Sequence, residues 1–125
     1  MIAPTEDVRH NMPLSDWSDE DIRVIRLSLE CVAAGKVILH DWEFETIMGV
    51  NVPTLRQVLS KWPEVDEADP DVRSAVGNSL NNLLGYPHGF HDCWEEGIPV
   101  SRQELMRAFG AWRGGRPYSY FDGIV

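Results

Sequence analysis

An all-α fold, with two tandem three-helix units packed into one compact domain, is the class this sequence predicts, and three observations predict it. Apolar residues recur at helical rather than alternating spacing. Ser, Asp, Asn and Pro stand where helices would begin, with Gly or Pro where they would end. The chain also matches itself at an offset of 50 residues. Laid without a gap, residues 18–62 meet residues 68–112 at eight identities: Asp19/Asp69, Asp21/Asp71, Arg23/Arg73, Gly35/Gly85, Glu45/Glu95, Val50/Val100, Leu55/Leu105 and Trp62/Trp112. Ile22/Val72, Phe44/Trp94, Asn51/Ser101 and Leu59/Phe109 keep the chemistry. Duplication of a unit of about 50 residues follows as the expectation.

The first helix is predicted from Ser18, whose hydroxyl can cap free backbone N–H groups, with Asp19, Glu20 and Asp21 suiting the positive end of the helix dipole. Ile22, Ile25, Leu29, Val32 and Ala33 form one apolar stripe and Val24, Leu27, Cys31 and Ala34 another, so the helix should be buried on most sides before Gly35 ends it. A second helix is expected from Asp41, as its cap, to Met48, with Gly49 as the stop. A third should start at Asn51 with Pro53 in its first turn, turn Leu55, Val58, Leu59 and Trp62 inward, and end at Pro63.

In the second unit, Asp69 and Pro70 open a helix carrying Val72, Ala75, Val76, Ser79, Leu80, Leu83 and Leu84 at helical spacing up to Gly85. Gly77 weakens that helix by about 1 kcal/mol, so its presence predicts close approach by a neighbour. Asn78, Asn81 and Asn82 give the same helix a polar face, and at least one of them is expected to bond to loop backbone near Gly85, Tyr86 and Pro87. Ser101 is expected to cap a last helix with Leu105, Ala108, Phe109 and Trp112 inward. Residues 63–71 read as a solvated acidic connector, and 113–125 as an irregular tail whose Tyr118, Tyr120 and Phe121 should pack on the body.

Length and composition bound the function. At 125 residues with 43% hydrophobic and 25% charged side chains, a single domain spanning 1–125 can bury a core without metal or disulfide staples. Twenty acidic against eleven basic residues give a formal charge of -9, which repels phosphate backbones and anionic lipid and attracts basic proteins. No basic segment followed by an apolar core comes after Met1, and no apolar run approaches the roughly 20 residues that cross a bilayer. A cytoplasmic protein with no membrane partner is therefore expected, with Cys31 and Cys93 as reduced thiols.

Several segments carry the residue types of a site. The stretch from Phe44 through Gly49 to Leu59 resembles a DNA-binding helix-turn-helix in its turn glycine and apolar spacing. Glu45 stands where that motif wants a small residue, and the acidic charge opposes a phosphate partner, so a structural hairpin is expected and nucleic acid is disfavoured. His88, His91 and Cys93 are zinc-ligand types, but their spacing fits no paired-ligand pattern, so neither a metal nor another cofactor is expected. Cys93 beside a histidine is the one arrangement that could supply a nucleophile. Without a phosphate loop, nucleophile elbow or HExxH pattern, a non-enzymatic protein with no catalytic residues is expected.

Trp42 and Trp94 each adjoin carboxylates, Asp41 and Glu43 in one case and Glu95 and Glu96 in the other, an aromatic anchor with an acidic rim. Together with the connector they define a candidate partner surface: Trp42, Glu43, Glu64, Asp66, Glu67, Asp69, Trp94 and Glu95. In size, acidity and helical character the chain resembles the small bacterial immunity proteins. That resemblance implies neutralisation of a cognate basic toxin by covering its active surface. A general protein adaptor, or a small helix-turn-helix regulator of transcription, is the alternative.

Overall fold

The computed structural model describes residues 17–38 and 40–112. Among them are six α-helices and no strand: α1 (Asp19–Ala33), α2 (Asp41–Met48), α3 (Val52–Lys61), α4 (Pro70–Gly85), α5 (Trp94–Gly97) and α6 (Arg102–Trp112). The aromatic tail expected to pack on the body lies outside the described residues. No helix among those described is long and apolar enough to cross a membrane.

The predicted caps explain most helix starts. Ser18 Oγ accepts from Asp21 N, Asn51 Oδ1 from Thr54 N, and Asp69 Oδ1 from Asp71 N, so each satisfies one of the amides that a helix N-terminus leaves without a partner. At α6 the arrangement is reciprocal: Glu104 N donates to Ser101 Oγ while Ser101 N donates to Glu104 Oε1. Ser101→Ala is expected to lower stability by about 1 kcal/mol, read as a shift in the urea midpoint at unchanged slope. One start differs. α2 begins a residue earlier than expected, with His40 at the cap position making no side-chain cap bond and Asp41 already helical.

The apolar stripes decide the packing. α1 buries Val24, Ile25, Leu29, Cys31 and Val32, and its one buried hydroxyl, on Ser28, donates to the Val24 carbonyl a turn back. α1 and α4 pack on each other, and each also packs on α3 and α6, while α2 rests on α3 and α4. The shared interior holds Ile25, Leu29, Leu55, Leu80, Leu83, Leu105 and Phe109, all less than 2% exposed. Gly77 makes the close approach its sequence position implied: a methyl group there would lie 3.4 Å from Trp112 Nε1. Trp112 in turn meets Trp17 edge-on at 5.6 Å and Trp62 at 6.5 Å between ring centroids.

Charged side chains tie α1 to α6 across the surface. Arg23 contacts Glu20 at 2.7 Å and Glu104 at 3.2 Å, and Arg107 lies 3.6 Å from Asp21. Hydrogen bonding from the Arg23 guanidinium holds the Glu20 carboxyl below its usual range. Both arginines are exposed, so water screens these pairs and each adds little stability.

Candidate protein-binding surface

Trp42 is the most conspicuous surface residue. It occupies the second position of α2, and helical spacing places it with Glu45 and Thr46 on the side opposite Phe44 and Met48, which are buried. Its indole is 74% exposed and stacks with the His40 ring at 6.2 Å and 17°. Thr46 Oγ1 donates to the Trp42 carbonyl at 3.1 Å. Glu45 is exposed and Glu43 half-buried.

In the connector, Glu64, Asp66 and Asp69 are exposed and Glu67 is half-buried. Two of these carboxylates shape the chain: Asp66 Oδ1 accepts from Ala68 N at 2.9 Å, closing the turn that leads into α4, and Asp69 Oδ1 caps that helix. An anionic surface and the backbone geometry here rest on the same side chains.

Trp94 takes a different place from Trp42. It is 8% exposed, donates from Nε1 to the Val100 carbonyl, and carries the Arg102 guanidinium 4.5 Å above its ring. Glu95 stays exposed beside it. Both line a depression of about 450 Å³ together with Ile98, Val100 and Arg102. Of the two candidate aromatic anchors, Trp42 alone is on the surface. Sequence offered a signal for this difference, since Trp94 aligns with inward-facing Phe44 in the 50-residue register, whereas Trp42 aligns with Asp92.

The histidine loop is committed to backbone. Phe90 N donates to His88 Nδ1 at 3.0 Å, His88 Nε2 lies 2.9 Å from the Leu83 carbonyl, and His91 Nε2 lies 2.8 Å from the Tyr86 carbonyl. Among the described residues no group of three or more His, Cys, Asp and Glu side chains could hold a metal ion. Both cysteines are free thiols. Burial pushes the Cys31 thiol up, and burial followed by Glu96 and Asp92 pushes up Cys93, so neither is poised as a thiolate.

In the segment that resembles a helix-turn-helix, Gly49 adopts a left-handed conformation with φ 75°, and a methyl group there would lie 3.4 Å from Ser74 Oγ and 3.6 Å from Asn78 Nδ2 of α4. Leu55 and Val58 are buried, while Arg56, Gln57 and Lys61 are exposed along α3.

The asparagines of α4 form no solvated face. Asn78, Asn81 and Asn82 are all buried. Asn78 Nδ2 donates to the Met48 carbonyl at 2.9 Å, so it caps the end of α2 from a neighbouring helix instead of bonding near Tyr86. Asn82 Nδ2 donates to the Asn78 carbonyl. Both Asn81 side-chain atoms, and Ser79 Oγ, are buried without a hydrogen-bond partner among the described residues.

No protein-family model, curated protein or solved structure matches this chain.

Proposed function

We propose that this chain is a protein-binding module of the immunity type, which neutralises a basic toxin domain in the cytoplasm by covering its active surface. The observation that carries the reading is Trp42: a large indole held three-quarters in solvent on an acidic protein, where burial against a partner would recover the apolar area that folding left exposed. The formal charge of -9 and the exposed Glu64, Asp66 and Asp69 support a basic partner, because an anionic surface steers association with side chains that hold phosphates.

The frame that presents this surface is, in the same reading, a duplicated three-helix unit. Matched burial supports it: Leu55 and Leu105 are both 0% exposed, and Phe44/Trp94, Val50/Val100 and Trp62/Trp112 are buried as pairs. α5 is the divergent element, with four residues where α2 has eight.

The test is stopped-flow binding to a cognate basic toxin domain. Combined Asp66→Lys and Glu67→Lys should slow association by roughly an order of magnitude or more at low salt and flatten its salt dependence. Trp42→Ala should instead speed dissociation, with a loss of about 2 kcal/mol or more. Unchanged rates for both variants in a verified complex would remove this surface from the interface.

A second reading has one observation in its favour. The exposed face of α3 carries Arg56, Gln57 and Lys61 with no acidic residue in the helix, behind a glycine turn of helix-turn-helix form. Retardation of a specific DNA duplex at physiological salt, abolished by Arg56→Ala, would favour it over the immunity reading.

A further inference from the structure

The segment between α4 and α5 holds two imidazoles in a setting that tolerates little charge. Because Phe90 N–H donates to His88 Nδ1, that nitrogen must keep its lone pair, and the ring proton sits on Nε2, where it donates to the Leu83 carbonyl. His91 stacks on His88 with centroids 4.2 Å apart and 14° between planes, and its Nε2 reaches the Tyr86 carbonyl. Both rings therefore tie the loop to carbonyls at the C-terminal end of α4. Arg102, from the start of α6, donates to the His91 carbonyl and lies over Trp94, and both imidazoles contact Trp94, with centroids 6.0 Å away in each case.

We propose that His88 is a proton-sensitive latch: neutral, it clamps residues 86–93 onto the end of α4 and keeps Trp94 covered, and protonated, it releases the loop and uncovers that ring. A second ring proton at Nδ1 would point at the Phe90 N–H, replacing a hydrogen bond with a contact between two donors. The new positive charge would also face His91 and the Arg102 guanidinium.

The surroundings do little to compensate. The last two turns of α4 behind His88, residues 78–85, carry no charged side chain. Asp92 in the loop and Glu95 and Glu96 on α5 are exposed, where water screens them. Cys93, also in the loop, is itself pushed up and stays uncharged. Consistent with this, burial, then the charges of His91 and Arg102, depress His88, against the opposing effect of the Leu83 bond. A histidine lowered in the folded protein favours folding in its neutral form. Its contribution is complete above the unfolded value of about 6.5 and is lost as pH falls through the lowered value.

The consequence reaches Trp94 through Arg102. When the loop lifts, Arg102 loses the His91 carbonyl, the indole loses its stacked guanidinium and both imidazoles, and the depression beside Glu95 opens. The device does not depend on the immunity reading.

The test is a pH titration of the full chain from 7.5 to 5.0 by NMR, following the five tryptophan indole signals and the histidine ring nitrogens, with Trp94 identified from Trp94→Phe. At pH 7.5 the His88 ring should be protonated at Nε2 alone. Its titration midpoint should lie below 6.5, and the Trp94 indole signal should shift with the same midpoint while the Trp62 signal stays fixed. In His88→Gln, whose amide can still accept and donate but does not titrate, the Trp94 shift should disappear. A wild-type His88 midpoint at or above 6.5, a proton on Nδ1 at neutral pH, or a Trp94 signal indifferent to pH would each overturn the latch. The first two need no variant, so the proposal can fail even if His88→Gln does not fold.

Discussion

Leu55→Ala and Leu105→Ala are each expected to lower stability by about 2–5 kcal/mol, and to lower it in the same single unfolding transition. Both leucines are 0% exposed, on α3 and α6, and both helices pack on α1 and α4 together. A cavity opened under either helix is thus lined by side chains from both halves of the chain. The halves also meet through the Trp62–Trp112 contact. Neither half of the chain has a core of its own to retain when the other is loosened, and cooperative loss is the result. Denaturant melts followed by far-ultraviolet circular dichroism and by tryptophan fluorescence should coincide for the wild type and for both variants. Two resolved transitions, with each mutation moving one of them, would show that the units fold independently.

Asn81→Leu and Asn78→Leu are expected to move stability in opposite directions, although the two residues are one helical turn apart on α4. Asn81 is 0% exposed and its amide has no partner among the described residues, so leucine removes an unsatisfied buried group, worth about 1–3 kcal/mol, and adds apolar contact. Asn78 supplies the hydrogen bond that closes the end of α2. Leucine there abandons the Met48 carbonyl and should cost about 1–3 kcal/mol. Urea midpoints at constant slope separate the two outcomes. A lower midpoint for Asn81→Leu would show that its amide has a partner after all, such as a buried water.

Local signals made much of the fold legible. Ser18, Asn51, Asp69 and Ser101 sit at their helix starts because short polar side chains there replace missing backbone partners, a requirement that needs no knowledge of the rest of the chain. Gly77 announced a close neighbour but not its identity, because Trp112 reaches it only through the tertiary fold. The partner of Asn78 was hidden for the same reason. Periodicity marks a polar face as outward, and nothing local reveals that an uncapped carbonyl on another helix waits for Asn78.

The candidate surface was legible unevenly. Acidic residues in a connector are exposed wherever the connector goes, so Glu64, Asp66 and Asp69 could be placed from composition. Trp42 and Trp94 have similar acidic neighbours and opposite fates. What separates them is register against the apolar stripe: Trp42 lies two residues before Phe44 on the far side of α2, while Trp94 takes the inward position itself. The histidine loop was legible as a polar connection between two helices from its glycine and proline. Its use of both His88 nitrogens on backbone groups depends on how the loop folds over α4, which spacing does not encode.

The uneven distribution of the five indoles also gives the molecule a built-in optical division of labour. Trp17, Trp62 and Trp112 lie close enough to exchange excitation energy, whereas Trp42 stands in water beside an imidazole. Collisional quenching by a neutral agent such as acrylamide should therefore strike the red-shifted emission of Trp42 first and spare the blue emission of the cluster. Any ligand that settles over α2 would shield the first component without touching the second, so unlabelled protein can report where it has been touched as well as whether it has been bound.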